Sequence, residues 1–404
     1  MMRYSFNISD KINRFYKNNM KLYVKFVLIL ILVSQLSISC VKKYEPNLAD
    51  SSLQKLVVSS QINDQEGFQY VNVSLTTSLV IPVYTPVSGC NVQLKSDDGS
   101  SLSFAEFEPG KYQLWLADGQ LDKTKAYQLI VITSDNQLIE STWESFYSCP
   151  DVDSVFYEKV LTTENLPYGS RIGLQFKVNL KGQNDDSRYY RFDVLETYEF
   201  HTPLPMEWYY DGTIHHISPP DYSKQVCWNT RYIRDIFVLA TDNISQNEYL
   251  GLKLNFTDNY SQRLQHLYSL MIKQYAISKD AYFYWNQMRT NMHQSGGLYD
   301  NQPVAIKGNL INTTFADQEV LGYFSIASLK EKRIFIQPQT DITIIDNTCE
   351  KRVLRKGVIE IRPEEYPAFL AGDEYGWYPV LLSTACVDCR VVGGSTTKPD
   401  FWPY

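Results

Sequence analysis

Residues 171–180 read Arg-Ile-Gly-Leu-Gln-Phe-Lys-Val-Asn-Leu, with an apolar residue at every second position from Ile172 to Leu180. Side chains alternate between the two faces of a β-strand, so this spacing places all five apolar side chains on one face of a sheet. A helix would distribute them around its axis. Turn residues follow at 182–187, and 189–194 is a second alternating run that we expect to return beside the first. The stretch therefore predicts an antiparallel β domain.

The residues before this stretch show the same alternation. Strands are predicted at 71–75, 112–116 and 127–131, with Gly, Asp and Asn turn residues between them. Short strands at regular spacing are typical of an antiparallel sandwich, so we expect an immunoglobulin-like or prealbumin-like domain at 51–146. A larger, mainly β domain is expected over 147–404. Its further strands are predicted at 234–240, 266–277, 303–312, 320–328, 333–337, 341–345 and 357–362.

One short helix is predicted between these strands. Ser278 can cap its N-terminus, Asp280 lies in its first turn, and Gly296-Gly297 would end it. We expect its apolar stripe to pack on a sheet rather than to bind a ligand. The stripe consists of Ala281, Trp285, Met288 and Met292.

Composition narrows the class of partner. The chain has 404 residues and a formal net charge of −7. Residues 1–39 contain six basic side chains and one acidic side chain, so the remainder carries −12. That excess of negative charge is unfavourable for binding nucleic acid or anionic lipid, so neither is expected as a partner. The 30 Tyr and 19 Phe residues fit a chain that consists mainly of strands.

The N-terminus has the features of an export signal. From Met20 a basic start is followed by the apolar run 27–33 and by small residues that end at Cys40. The run is too short to span ~30 Å of hydrocarbon. We therefore predict that residues 1–39 are a lipoprotein signal peptide and that Cys40 becomes the acylated first residue of the mature chain. A plain secretory signal is the alternative, and residues 40–50 form a polar tether in either case.

Six cysteines remain after Cys40, an even number in a chain with an export signal, where oxidation is expected. They are Cys90, Cys149, Cys227, Cys349, Cys386 and Cys389. The simplest of the fifteen possible pairings joins the first two within the first domain and leaves the other four to tie the C-terminal tail to the second. The Cys-x-x-Cys pair at 386–389 could instead form half of a zinc site or a redox pair. Zinc needs reduced thiols, however, and no helix is predicted after the pair.

The sequence contains no nucleophile elbow, His-Glu-x-x-His motif, phosphate-binding glycine loop or dinucleotide fingerprint. His215 and His216 could bind a metal with Asp211 or Asp221, but neighbouring residues in a strand point to opposite faces. The other histidines are interpreted as surface or satisfied core residues: His201, His266 and His293. We therefore predict no catalytic residues, no cofactor and no resident metal.

One aromatic segment is a candidate contact surface. Residues 198–212 combine prolines with Trp208, Tyr209 and Tyr210, and such side chains commonly line ligand-binding surfaces and partner interfaces. The alternative is a long hairpin whose aromatic side chains pack against their own sheet.

Several short segments occur together along the chain. They are Cys40 to Pro46, Leu56-Val-Val58, Pro86-Val-Ser-Gly89, Gly110-Lys-Tyr112, Asp153-Ser-Val155, Cys227-Trp228, Gln274-Tyr-Ala-Ile-Ser278, Leu321-Gly-Tyr-Phe-Ser325, Lys332-Arg-Ile-Phe335, Cys386-Val-Asp-Cys389 and Lys398-Pro-Asp-Phe-Trp402. In this order they resemble the outer-membrane lipoproteins of Bacteroidota that are classed as domain-of-unknown-function family 4249. The resemblance covers nearly all of the mature chain.

The resemblance implies a two-part β structure and a setting similar to that of accessories of TonB-dependent outer-membrane receptors. It supplies no catalytic residue, and Cys90 and Cys149 are additions to the family's usual pattern. We therefore expect a lipid-anchored outer-membrane protein without catalysis, which acts as an accessory or ligand-capturing partner of a TonB-dependent receptor in nutrient uptake. The alternative is a hydrolase or sugar-binding enzyme of glycan or peptide uptake, which would need carboxylates or a nucleophile converging in one cleft. The sparse acidic residues after Cys40 leave the membrane face undecided.

Overall fold

The computed structural model describes residues 54–77, 83–162, 171–293, 306–373, 375–376 and 378–403. The predicted signal peptide, Cys40 and the tether lie outside the described residues. The described part of the chain is mainly β with several antiparallel sheets, which confirms the predicted mainly β class. The immunoglobulin-like or prealbumin-like sandwich at 51–146 stays a prediction. None of its described helices is long and apolar enough to cross a membrane.

The first half of the described chain contains strands β1 (Leu56–Asn63), β2 (Gly67–Leu75), β3 (Thr85–Pro86), β4 (Asn91–Ser96), β5 (Ser101–Glu108), β6 (Lys111–Leu116), β7 (Ala126–Ile132), β8 (Leu138–Ser141), β9 (Glu144–Ser145), β10 (Ser154–Leu161), β11 (Ile172–Lys181), β12 (Tyr189–His201), β13 (Met206–Tyr210) and β14 (Ile214–Asp221). The second half contains β15 (Val226–Tyr232), β16 (Phe237–Ala240), β17 (Glu248–Asp258), β18 (Tyr268–Ala276), helix α1 (Lys279–His293), β19 (Leu310–Asn312), β20 (Val320–Leu321), β21 (Phe324–Ile336), β22 (Lys351–Val353), β23 (Ala368–Gly372) and β24 (Pro379–Leu382). Short 3₁₀ helices occupy Gln262–Leu264, Val358–Glu360, Pro363–Glu365, Thr384–Cys386 and Cys389–Val392.

The alternating stretch 171–180 forms most of strand β11. Its side chains at Leu174, Phe176, Val178 and Leu180 are buried, as the period of two predicts. The following strand, β12, does not pair with β11, so the predicted return as a hairpin is wrong. The polar turn instead carries the chain from a three-stranded sheet, ordered β10-β11-β17, to the large sheet that contains β12. Apolar side chains of both sheets share one core, as in a sandwich.

The strands predicted at 71–75, 112–116 and 127–131 are confirmed as parts of β2, β6 and β7. Ladder pairs run along the large sheet in the order β15-β12-β18-β21-β1-β2-β6-β5-β4-β7-β8-β19. Strand β1 pairs in parallel with β21, and β8 pairs with β19. Strands on the two sides of residue 146 therefore share ladder hydrogen bonds.

Helix α1 begins where the sequence predicts. The Ser278 hydroxyl accepts a hydrogen bond from the Ala281 N–H at 3.2 Å, and Ala281 is fully buried against the sheet. The predicted end at Gly296-Gly297 lies outside the described residues. Two predicted strands are wrong, because 341–345 contains no strand and 357–362 contains the 3₁₀ helix Val358–Glu360. Gly357 precedes that helix with φ of +81°, a left-handed conformation that ends extended backbone.

The three strands of the C-terminal part, β22, β23 and β24, join the hairpin β13-β14 from the middle of the chain in a five-stranded sheet ordered β14-β13-β23-β24-β22. The disulfide Cys349–Cys386 closes the loop beside this sheet. A second disulfide, Cys227–Cys389, joins β15 of the large sheet to the C-terminal tail. The prediction that these four cysteines tie the tail to the second part of the chain is confirmed.

Candidate binding cleft

A cleft of about 370 Å³ lies where β1 and β2 meet β12, β18 and α1. Its size falls within the range of small-molecule pockets. The described residues that line it are Ser59, Ser60, Gln61, Asn63, Phe68, Gln69, Tyr70, Asn72, Arg191, Tyr232, Lys273, Tyr284, Trp285 and Tyr323. None of these residues is Asp, Glu, His or Cys, and most of their polar side chains carry hydrogen-bond donors.

Arg191 is the central cation of the cleft. Its guanidinium carbon lies 3.9 Å from the centre of the Trp285 ring, and its Nη2 atom donates to Asp193 Oδ1 at 2.8 Å. Its Nη1 atom donates to the Gln61 side-chain oxygen. A cation held against an aromatic face and by two acceptors is fixed in orientation. Strand alternation explains the arrangement, because Arg191 and Asp193 lie on the same face of β12.

Lys273 is the second cation. Its Nζ atom lies 2.9 Å from Glu331 Oε1. Desolvation is the largest single influence and alone would lower the pKa of Lys273, but the hydrogen bond to Glu331 and the charges of nearby groups together raise it. The ammonium group therefore keeps its charge at neutral pH, and the cleft contains two fixed positive groups beside its aromatic walls.

Two buried donors in the cleft residues have no hydrogen-bond partner among the described residues. They are Gln61 Nε2 and Trp285 Nε1. Because Gln61 uses its oxygen to accept from Arg191, its amide nitrogen is the atom left without a partner. Buried donors are normally paired, so unpaired ones beside a cleft indicate positions where a ligand or water supplies acceptors.

Exposed aromatic side chains continue from the cleft onto the neighbouring strands. Phe68 is 47% exposed and Trp115 is 51% exposed, and their ring centroids are 4.9 Å apart. Tyr70 and Phe107 extend the group, with centroids 5.7 Å apart. We call Phe68, Tyr70, Phe107 and Trp115 the aromatic face. Exposed large aromatic side chains in one contiguous group are a common feature of binding surfaces.

A buried carboxyl group lies behind one cleft wall. Glu144 on β9 is 5% exposed, and its Oε1 atom accepts from the Tyr323 hydroxyl at 2.9 Å. Burial raises the pKa of Glu144 to about 7, and the charge of Asp280 adds to the effect. Burial likewise raises the pKa of the Tyr323 hydroxyl, whose ring lines the cleft. One hydrogen bond therefore links the buried Glu144 carboxyl group to the cleft wall.

The aromatic residues predicted as a contact lie elsewhere, on β13. Trp208, Tyr209 and Tyr210 are half-buried. The first two stack on histidines of β14, with ring centroids 3.9 Å and 4.5 Å apart, and Tyr210 packs edge-on against Tyr366. These are the contacts of the alternative interpretation, a hairpin whose aromatic side chains pack on their own sheet. A partner contact through these residues stays a prediction.

The two adjacent histidines of β14 have different partners. His215 stacks on Tyr209 and lies 2.8 Å from Asp211, whereas His216 stacks on Trp208 and lies 3.5 Å from Glu207. Each imidazole therefore has its own carboxylate partner.

Cys90 and Cys149 are free and buried, so the predicted disulfide between them is wrong. Cys90 belongs to the core between the N-terminal strands, whereas Cys149 belongs to the core shared by β11 and β12. Burial raises the pKa of both thiols, that of Cys149 to about 11. Both are therefore protonated thiols packed as small apolar groups.

Sequence reasoning did not find the cleft. Arg191 lies in the alternating run 189–194, at a position that faces away from the core. Its charge at that position is the one sequence feature that could have indicated a polar site on this face. Trp285 was assigned to a packing stripe, which its contacts with Tyr284 and the sheet confirm. Its unpaired Nε1 atom is visible only in the folded chain.

These features define a mainly β protein with two disulfides and one donor-rich cleft bordered by an aromatic face. Residues 41–333 match the family described as Domain of unknown function (DUF4249), and the chain belongs to this family. The match confirms the family inferred from the sequence. No curated protein matches the chain.

Proposed function

We propose that the protein is a non-catalytic, lipid-anchored accessory of a TonB-dependent receptor at the outer membrane, and that it captures a ligand in the cleft for nutrient uptake. The observation that carries the proposal is the cleft, in which fixed cations and unpaired buried donors lie beside the aromatic face. The Cys40 anchor and the receptor partner come from the sequence and from the family resemblance. The membrane face is left open.

The chemistry of the cleft supports capture of a ligand that has acceptor oxygens and a flat apolar face. Arg191, Lys273, Gln61 and Trp285 offer donors to the ligand, and the aromatic face offers exposed area both for stacking on the ligand and for contact with the receptor. Such pairing of stacking area with a few oriented polar groups is the usual composition of a small-molecule site. Sugars and short peptides both have these two features.

The alternative is a hydrolase or sugar-binding enzyme of glycan or peptide uptake. A hydrolase of the usual kind would need paired carboxylates or an activated nucleophile facing the substrate. The described residues that line the cleft include no carboxylate, histidine or cysteine, so this site supports binding rather than hydrolysis.

The test is purification of the anchored protein from gentle detergent, followed by identification of the proteins and small molecules that accompany it. One variant combines Phe68→Ala, Tyr70→Ala and Trp115→Ala. We expect this variant to recover at least tenfold less receptor, because a tenfold loss needs only ~1.4 kcal/mol and aromatic anchors often contribute ~2 kcal/mol or more. Thermal unfolding should change little, since these side chains are about half exposed.

The matched control is Trp143→Ala, which removes a tryptophan that is 45% exposed and lies outside the cleft. It should leave receptor recovery unchanged. A third variant, Trp208→Ala with Tyr209→Ala, should lower thermal stability through lost packing. Failure of the wild-type protein to recover any TonB-dependent receptor would refute the partner proposal, and equal recovery by the triple variant would refute the role of the aromatic face.

A further inference from the structure

Three metal-binding side chains meet at the end of β12 that is remote from the cleft. Glu199 and His201 lie on β12, and His266 lies just before the neighbouring strand β18. One ligand atom from each residue lies within 4.8 Å of the others. Arg191 and Glu199 are roughly 26 Å apart along the strand, at ~3.3 Å per residue, so this group is separate from the cleft.

Strand geometry explains how residues distant in sequence come together. Glu199 and His201 are two positions apart, so both lie on the face of β12 opposite to Phe200, which is buried. The ladder between β12 and β18 ends with Tyr198 opposite Tyr268, and the same register continued would place His266 opposite Phe200. His266 instead lies just outside the ladder, where its ring stacks on that of His201. The Glu199 N–H donates to the Leu267 carbonyl at 3.1 Å and holds the two segments together.

The three side chains already contact one another. His201 Nε2 lies 2.8 Å from Glu199 Oε1, and the rings of His201 and His266 are stacked with centroids 3.7 Å apart. All three residues are half-buried, so the group is open to solvent. A simple histidine–carboxylate ion pair would account for the first contact but not for the second imidazole.

A residue outside the cluster also donates a hydrogen bond to the Glu199 carboxylate. Trp402 Nε1 donates to Glu199 Oε2 at 3.2 Å, which leaves Oε1 as the inward ligand atom. The adjacent strand is fixed by the disulfide Cys227–Cys389, because Cys227 lies opposite Phe200 in the ladder. Outer hydrogen bonds that orient a ligating carboxylate are a regular feature of metal sites.

We propose that Glu199, His201 and His266 bind one divalent transition-metal cation, with zinc as the representative ion. Two imidazoles and one carboxylate are the donor set of open zinc sites and of related iron, nickel and copper sites, and they disfavour Mg²⁺ and Ca²⁺, which prefer oxygen ligands. The ion would bind His201 Nε2 and Glu199 Oε1 in place of their mutual contact. A neutral imidazole would then carry its one proton on Nδ1, whereas an imidazole protonated at both nitrogens would release one proton to solvent. Three protein ligands leave a further coordination position for water or an exogenous group.

The test is isothermal titration calorimetry with ZnCl₂ on the full mature protein, purified without a polyhistidine tag and dialysed against a chelator. The wild-type protein should bind one zinc ion. His201→Ala and His266→Ala should each weaken binding at least tenfold, and Trp402→Phe should weaken it by a smaller factor. The Co²⁺-loaded wild type should show visible absorption bands of a low-coordinate site, which both histidine variants should lose.

The matched control is His216→Ala, because His216 also stacks on an aromatic ring and lies near a carboxylate, whereas the adjacent His215 has different partners and belongs to the opposite face of β14. Its zinc affinity should equal that of the wild type. If a histidine variant fails to fold, Glu199→Gln, which keeps the size of the side chain, takes its place in the zinc titration. Absence of zinc binding by the wild type, or binding that survives in His201→Ala and His266→Ala, would overturn the proposal.

Discussion

Replacement of Glu144 by glutamine should make the protein more stable at alkaline pH. Glu144 is almost fully buried and accepts hydrogen bonds at Oε1 from the Tyr323 hydroxyl at 2.9 Å and from Asn309 Nδ2 at 3.4 Å. A glutamine oxygen can accept both hydrogen bonds without carrying a charge. The substitution therefore removes the buried charge while the neighbouring groups keep their partners.

The sign and size of the effect follow from the raised pKa. Glu144 has a pKa of about 7 in the folded chain, against an ordinary value of 4.5 when unfolded. The folded state binds the Glu144 proton more tightly than the unfolded state does. This binding therefore adds to the free energy of unfolding, fully below pH 4.5, and the contribution is lost as the pH rises through about 7. Between pH 5 and pH 8 the loss is on the order of 2–3 kcal/mol, because a tenfold change in an equilibrium is ~1.4 kcal/mol.

The assay is urea unfolding at pH 5 and pH 8, with the midpoint and slope measured for each protein. The stability of Glu144→Gln relative to wild type should increase by on the order of 2–3 kcal/mol from pH 5 to pH 8. Glu158→Gln is the control, since that side chain is 55% exposed and pairs with Lys177 at the surface. If Glu144→Gln is destabilised equally at both pH values, ionisation of the Glu144 carboxyl does not destabilise the folded state. That result would refute the raised pKa.

Alkylation of the unfolded, non-reduced protein should modify two thiols, Cys90 and Cys149, and mass spectrometry that finds none or six would contradict the disulfide assignment. Gly322→Ala should lower the free energy of unfolding by more than about 2 kcal/mol, because its φ is +98° and an added Cβ would lie 1.9 Å from the Val58 carbonyl oxygen; calorimetry with an unchanged melting temperature would show that this close approach relaxes freely. Cys389→Ser should cost ~3–5 kcal/mol, since it opens a cross-link between residues 162 apart, and limited proteolysis should then release the C-terminal tail first.

Local structure could be predicted from the sequence more accurately than the pairing of strands and of cysteines. The period of two at 172–180 and the Ser278 cap are local signals, and both elements form where they predict. The failed hairpin between 171–180 and 189–194 shows the limit, because a turn composition does not determine which sheet the next strand joins. The Cys90–Cys149 pairing failed for the same reason, since an even count of cysteines does not reveal that two of them enter different cores.

The cleft and the histidine cluster depend on contacts that no local signal contains. Gln61 and Arg191 meet only because β1 continues the sheet that β12 and β18 belong to. His201 and His266 meet only because β12 pairs with β18 and the chain leaves that ladder just before Tyr268. Sequence spacing alone therefore led to an interpretation of these histidines as separate residues.

Site-specific photocrosslinking in the native host tests the central claim most directly. A photoreactive residue at Phe68, in the full-length protein with its Cys40 anchor, should crosslink to a TonB-dependent receptor or to its captured ligand, and the same residue at Trp143 should not. Receptor crosslinks from position 68 that disappear when Arg191 is replaced by alanine would link the cleft to the partner. Crosslinks of equal yield at positions 68 and 143, or none to a receptor or ligand from position 68, would contradict the account.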